Sequence, residues 1–117
     1  MRDYKEYLIS ANAKLKDALV QLNLLALDAI LFVIDDHSRL VGSLTDGDVR
    51  RGLLKGKGVD DNVIDYIQPS PKSVNKVNYS LTEIVALREK NFKVLPVLDA
   101  DKRVVNVINF RTQKSYL

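Results

Sequence analysis

The sequence predicts an α/β (α+β) fold made of two tandem units, each with the order strand, helix, strand, strand, helix. Short apolar runs broken by polar turns alternate with stretches whose apolar residues recur every three or four positions, a pattern typical of strands and amphipathic helices. The pattern also occurs twice, because a shift of 64 positions places residues 31–48 on residues 95–112 without a gap. We therefore expect two similar units packed with pseudo-twofold symmetry.

The internal repeat is clearest in the two expected hairpins. Each has an apolar run, a polar turn and a second apolar run. The identical pairs are Leu31 and Leu95, Val33 and Val97, Asp35 and Asp99, Arg39 and Arg103, and Val41 and Val105.

The length of 117 residues suits one compact domain or two half-domains that share a core. A unit of roughly 55 residues buries too small a fraction of its surface to be stable alone. We expect unit one over residues 1–66 and unit two over residues 67–117, packed together as one module.

Composition excludes several kinds of site. The chain has no cysteine, which excludes disulfides, thiolate metal sites and a cysteine nucleophile. The N-terminal residues are too polar for a signal peptide and no apolar run is long enough to span a membrane, so we expect a soluble, cytoplasmic chain. The net charge of +3 is weak evidence for an anionic partner, since the basic residues are scattered among acids.

In the first unit, hydrophobic periodicity and turn residues define each element. We expect an extended piece at residues 8–9, helices over about residues 14–25 and 46–55, and strands over about residues 29–34 and 40–44.

In the second unit, two prolines enforce an extended connector before the repeat resumes. Ser80 and Glu83 have capping-box spacing, which predicts a helix start. Before this helix we expect a helical turn at residues 63–67 and a connector through Pro69 and Pro71. The second unit then has an extended piece at 72–74, a helix over about 80–90, strands over 94–98 and 104–109, and a final helical segment from residue 110 or 111 onward.

The stretch from Gly42 to Asp48 is the most specific candidate site. Gly42 lets backbone or ligand approach closely, and Thr45 places a hydroxyl where the strand ends. Free amides at the start of the following helix favour an anion such as phosphate. Asp48 lies in the first helical turn, where a carboxylate can accept hydrogen bonds from the two hydroxyls of a ribose.

Helix capping is the alternative for the same atoms, since Thr45 and Asp48 also have capping-box spacing. The equivalent residues of the second unit are Asn109 and Thr112. Asn109 caps as well as threonine does, but Thr112 cannot act as a bidentate carboxylate. The sugar ligand is therefore expected in one unit only.

Other polar residues are less specific. Arg50 and Arg51 could reach a ligand phosphate from the helix after Thr45, or simply lie on an exposed helix face. His37 is explained by turn chemistry, with a metal-binding role as the alternative. No catalytic set can be assembled from the sequence, and we expect no catalytic residues and no metal site.

The doubled unit and the motif Gly42-x-x-Thr45-x-x-Asp48 resemble the cystathionine β-synthase (CBS) domain pair, also called a Bateman module, over essentially the whole chain. Residues 95–99, Leu-Pro-Val-Leu-Asp, resemble the family's second strand, and Phe32 replaces the proline in unit one. The resemblance implies a site for an adenosine nucleotide (AMP, ADP or ATP), with Asp48 on ribose and Thr45 on ribose or phosphate. The expected ligand-binding set is Gly42, Thr45, Asp46, Asp48, Arg50, Arg51, Ile9 and Ile30.

Residues 45–53 are also similar to CBS pairs that precede a sugar-phosphate nucleotidyltransferase domain, and to those that follow a sugar-phosphate isomerase domain. The approach segment at residues 4–9 favours the first group. This resemblance implies that the chain is a fragment whose catalytic domain lies C-terminal to it.

We expect a regulatory module that is not itself an enzyme, requires no cofactor and forms a homodimer. The main alternative is a structural dimerisation module with empty clefts. Binding to nucleic acid rests only on the modest positive charge, and neither a nucleic acid nor a membrane is expected as a partner.

Overall fold

A computed structural model describes residues 3–90 and 92–111 of the chain. The described residues form three α-helices, seven strands and three short 3₁₀ segments. The helices are α1 (Leu15–Leu25), α2 (Asp46–Leu54) and α3 (Leu81–Glu89), and the 3₁₀ segments are Tyr4–Tyr7, Ala26–Asp28 and Val63–Asp65. The strands are β1 (Leu8–Ser10), β2 (Ile30–Ile34), β3 (Leu40–Thr45), β4 (Gln68–Pro69), β5 (Val74–Asn75), β6 (Val94–Leu98) and β7 (Val104–Asn109).

The strands form two sheets, and the mixed α+β fold class is confirmed. The first sheet has the order β1-β2-β3-β4 and the second has the order β5-β6-β7. In both sheets a short first strand runs parallel to the hairpin strand beside it, while the hairpin itself is antiparallel. Strand β4 was expected only as an extended connector, and it pairs with β3 instead. The unit boundary between residues 66 and 67 stays a prediction.

The sequence repeat is reproduced in backbone detail. The register of each hairpin shifts at one place, between Val33 and Ile34 in the first and between Val97 and Leu98 in the second. The turn residues Ser38 and Lys102 both have positive φ, at 64° and 66°. Each of these features is 64 positions from its counterpart, so the repeat seen in the sequence is also a repeat of conformation.

The two hairpins contact each other through their turns. The backbone amide of Leu40 donates to the carbonyl of Lys102 at 3.1 Å, and that of Val104 donates to the carbonyl of Ser38 at 2.9 Å. Exchanging equivalent residues converts one hydrogen bond into the other. A local pseudo-twofold axis therefore passes between Arg39 and Arg103, which form an isolated antiparallel bridge.

One hydrophobic cluster includes residues of both units. It holds Phe32 and Leu44 of the first sheet together with Val94, Val104 and Val107 of the second. This confirms that the halves share a core, as their small size required. A smaller cluster lies within the second unit, beneath α3.

The predicted helices and main strands begin and end within about two residues of the observed ones. Ser80 accepts the hydrogen bond from the amide of Glu83 at 3.1 Å, as its capping-box spacing predicted. The expected final helical segment lies mostly outside the described residues, as does Thr112. Within the described ranges, the helices are all too short or too polar to cross a membrane.

Candidate functional site

The candidate site lies where β3 ends and α2 begins. Thr45 is the last residue of β3 and the N-cap of α2, with extended backbone angles (φ −122°, ψ 171°). Across the sheet it pairs with Ile30, the first residue of β2. Leu44 is fully buried, and the first helical amides of α2 follow directly at the end of the strand.

Asp48 closes a capping box with Thr45. Its Oδ2 accepts from the backbone amide of Thr45 at 2.9 Å and from the Thr45 hydroxyl at 3.0 Å. The Thr45 Oγ1 accepts in return from the Asp48 amide at 3.3 Å. Asp48 is only 7% exposed. The structure therefore contains the capping box that the sequence left open as an alternative. Its hydrogen bonds fix the Asp48 carboxylate at the N-terminus of α2.

The second carboxylate oxygen of Asp48 is held by Arg51. The distance from Arg51 Nη2 to Asp48 Oδ1 is 2.7 Å. The arginine side chain is 58% exposed, whereas the aspartate is buried. The guanidinium lies over Gly47, where an added Cβ would be 3.2 Å from Nη1. Both oxygens of Asp48 thus have protein partners, but one of those partners is in contact with solvent.

The remaining expected site residues lie at different distances from Asp48. Asp46 and Arg50 are exposed on α2. Ile30 is beside Thr45 in the sheet, whereas Ile9 pairs with Val33, three residues farther along β2. At about 3.3 Å per residue, Ile9 is roughly 10 Å away along the strand direction.

Gly42 is needed by the protein's own backbone. A Cβ at Gly42 would lie 2.8 Å from the carbonyl oxygen of Gln68 and 2.8 Å from Cδ1 of Ile67. The absent side chain therefore lets β4 pair closely with β3. The sequence had left open whether backbone or ligand would use this space, and in the structure the carbonyl of Gln68 and the side chain of Ile67 lie there.

The equivalent position of the second unit is built differently. Asn109 is buried, and its Nδ2 donates to the hydroxyl of Tyr7 at 2.8 Å. Its Oδ1 accepts from the amide of Arg111 at 3.0 Å, in the manner of a cap. Sequence analysis did not identify Tyr7, because this contact joins residues 102 positions apart. The only local signal is an aromatic residue directly before a strand.

The hairpin turns carry a second pair of matched polar groups. Backbone amide donation from Arg39 is the main cause of a lowered pKa at Asp35, helped by the amide of His37 and the Arg39 side chain. Asp99 has a lowered pKa for the same reasons, with Arg103 as its main donor. Over the residues that the structure describes, no group of three or more metal-ligating side chains comes together. The hydrogen bonds to Asp35 and Asp99 thus account for both residues as parts of the turn structure.

Comparisons with known proteins agree with this architecture. Residues 2–55 match the family model for the CBS domain. An uncharacterized protein from Helicobacter pylori strain J99 is 33% identical over 103 residues, which is 87% of this chain and 31% of that protein. The arabinose 5-phosphate isomerase KdsD of Pseudomonas aeruginosa is 35% identical over 78 residues, which is 66% of this chain and 24% of the isomerase. The chain thus spans about a third or less of these curated relatives.

Solved structures give the same result for the fold. The crystal structure of CBSX2 in complex with AMP has a TM-score of 0.73 and 28% identity, covering 93% of this chain and 85% of that one. The cystathionine beta-synthase pair domain of a putative Mg²⁺ transporter from Shewanella oneidensis has a TM-score of 0.77 and 16% identity, covering 97% and 64%. Residues 2–55 are therefore similar to the CBS domain, and the chain has the fold of the solved CBS pairs.

Proposed function

We propose that this chain is a regulatory module that binds an adenosine nucleotide at the start of α2. The observation that carries the proposal is the buried Asp48 carboxylate, held by the capping box with one oxygen facing a solvent-exposed arginine. Asp48 binds the ribose hydroxyls, and Thr45 and the first amides of α2 lie beside the phosphate. The 28% identity to a protein crystallised with AMP supports this ligand class.

The bound nucleotide alters the arrangement of the two units and thereby an attached catalytic domain. A ligand can shift such an arrangement only by binding one state better than the other. The hairpin contact between Leu40 and Lys102 is a candidate for the part that responds, because it joins the units by few hydrogen bonds. This regulation takes place in the cytoplasm, in line with the sequence-based expectation.

The attached domain is proposed to act on a sugar phosphate. The similarity to the arabinose 5-phosphate isomerase of Pseudomonas aeruginosa supports an isomerase. The approach segment at residues 4–9 favours the other possible attached domain, a sugar-phosphate nucleotidyltransferase. Either enzyme would be regulated through the same module, and the sequence of the whole parent protein would distinguish them.

A structural dimerisation module is the second candidate function. Two observations favour it: both oxygens of Asp48 have protein partners, and α1 with its 3₁₀ extension has an exposed apolar stripe. The stripe comprises Val20, Leu24 and Leu27, which are 65%, 70% and 82% exposed. A second copy of this chain is the proposed partner for this surface, and Leu24→Glu should then convert a dimer to monomers in sedimentation equilibrium.

A ligand screen tests the regulatory proposal. Melting curves and calorimetry with AMP, ADP, ATP, S-adenosylmethionine, GMP and nucleotide sugars should identify an adenosine nucleotide that stabilises the chain. Asp48→Ala should remove this stabilisation and cost about 1 kcal/mol of folding free energy through loss of the capping box.

The matched control is Ser80→Ala, which removes the N-cap of α3 and is expected to cost about as much. This variant should keep the full stabilisation by ligand. If the parent is a dimer in sedimentation equilibrium and responds to none of these compounds, the structural function is the correct one.

A further inference from the structure

We propose that Arg51 makes nucleotide binding depend on the phosphate group, an inference that rests on the nucleotide-binding function above. In the absence of ligand the Arg51 guanidinium is bound to the Asp48 carboxylate. It releases the carboxylate only when a phosphate is present to bind the guanidinium instead. The site therefore selects nucleotides over nucleosides.

The first step in the argument is the competition for Asp48. A carboxylate oxygen accepts about two hydrogen bonds. Oδ2 already accepts two from Thr45, so it has no position left for a ligand. Among the described residues, Oδ1 has a single protein partner, the Arg51 guanidinium at 2.7 Å. A ribose that uses both of its vicinal hydroxyls must therefore compete with Arg51.

The second step concerns which of the two groups can move. Thr45 is fixed by the end of β3 and by its own capping bonds. Arg51 is held only at its tip, its side chain is 58% exposed, and the missing side chain of Gly47 leaves the space that the guanidinium covers. Arg51 is therefore the group that a ligand displaces.

The third step is the energetic difference between ligands. A ribose hydroxyl that replaces Arg51 keeps the charged acceptor but lacks the positive charge of the guanidinium, so a nucleoside separates an ion pair without forming another one. A nucleotide offers a phosphate to the released guanidinium, and arginine binds phosphate in a planar, bidentate manner. The ion pair is thus exchanged for another ion pair only when phosphate is present.

A simple surface ion pair is the alternative. Aspartate and arginine at positions i and i+3 of a helix attract each other without any ligand, by about 0.2–0.5 kcal/mol. On that alternative, removing Arg51 slightly lowers stability and leaves the preference between ligands unchanged. The two accounts differ in ligand preference, which can be measured.

The experiment is calorimetric titration of the parent, Arg51→Gln and Arg88→Gln with AMP and with adenosine. Arg88→Gln is the matched control, because it removes an exposed arginine from α3 and lowers the net charge equally. We expect the parent and the control to prefer AMP over adenosine by more than about 10-fold. In Arg51→Gln, AMP should bind more weakly and adenosine at least as well as in the parent, so that the preference falls to within about 3-fold.

The outcomes separate this inference from the function on which it rests. If the parent binds AMP and Arg51→Gln keeps the parent's preference, the role of Arg51 is overturned while nucleotide binding stands. If the parent binds neither AMP nor any compound of the wider screen, the proposed function fails and this inference fails with it. A second measurement is salt dependence: the AMP preference of the parent should decrease between 50 mM and 500 mM salt, and that of Arg51→Gln should change little.

Discussion

The two equivalent helix-start positions, at Thr45 and at Asn109, satisfy their polar groups in different ways. Around Thr45 the partners are local: Asp48 and Arg51 lie within six residues, and Arg51 is exposed. Around Asn109 the side-chain amide donates to Tyr7, a buried residue from the other end of the chain, and Oδ1 accepts from the amide of Arg111. An exposed partner such as Arg51 can be exchanged for a ligand at lower cost than a buried partner such as Tyr7. We therefore expect the proposed nucleotide site at Thr45 and not at Asn109.

The largest effect on stability is expected from a substitution that moves α2 and so disturbs the position at Thr45. Gly52 packs against Tyr66, and a Cβ there would lie 2.2 Å from Cδ2 of the buried ring. Gly52→Ala should cost about 2 kcal/mol in denaturant unfolding, because overpacking forces the helix or the ring to shift. Nucleotide binding should weaken with it.

The control for this change is Gly58→Ala, whose Cβ would have only a distant contact at 3.8 Å. Gly58→Ala should leave both stability and binding close to the parent. An unaltered free energy of unfolding in Gly52→Ala would show that α2 is not fixed by Tyr66.

A smaller effect is expected at the second position. Tyr7→Phe keeps the ring but removes the hydroxyl that accepts from Asn109, and it should cost about 1 kcal/mol in chemical denaturation. The exposed Tyr79→Phe should cost much less. Calorimetry should give one AMP per chain for the parent and for both variants, and two per chain in the parent would refute the asymmetry of the two positions.

The smallest effect is a pH dependence that the two units share. Asp35 and Asp99 have folded-state pKa values below their usual 3.8, so each stabilises the fold above about that pH. This stabilisation is lost as the pH falls through the lowered folded-state values. The double variant Asp35→Asn with Asp99→Asn should therefore show a shallower decrease in melting temperature below pH 4 than the parent does. Equal slopes would mean that these turns contribute nothing to acid stability.

Sequence by itself determined the features that depend on neighbouring residues. Periodicity, turn residues and cap spacing predicted α1, α2, α3 and the two hairpins, since these signals are set within a few positions along the chain. The repeat predicted two matched units, and the spacing of Thr45 and Asp48 predicted either a cap or a ligand site. The structure contains the predicted cap, because its hydrogen bonds join residues only three positions apart.

Only the tertiary structure decided the contacts between residues far apart in the chain. Strand β4 pairs with β3 because Gly42 leaves room for Gln68, and Tyr7 lies against Asn109 because the shared core brings the N-terminal segment to β7. Neither contact leaves a periodic or spacing signal, since each depends on how separate elements pack. The sequence thus determined which residues could form a ligand site, and the packing decided that Asn109, at the second of the two equivalent positions, is bonded to Tyr7.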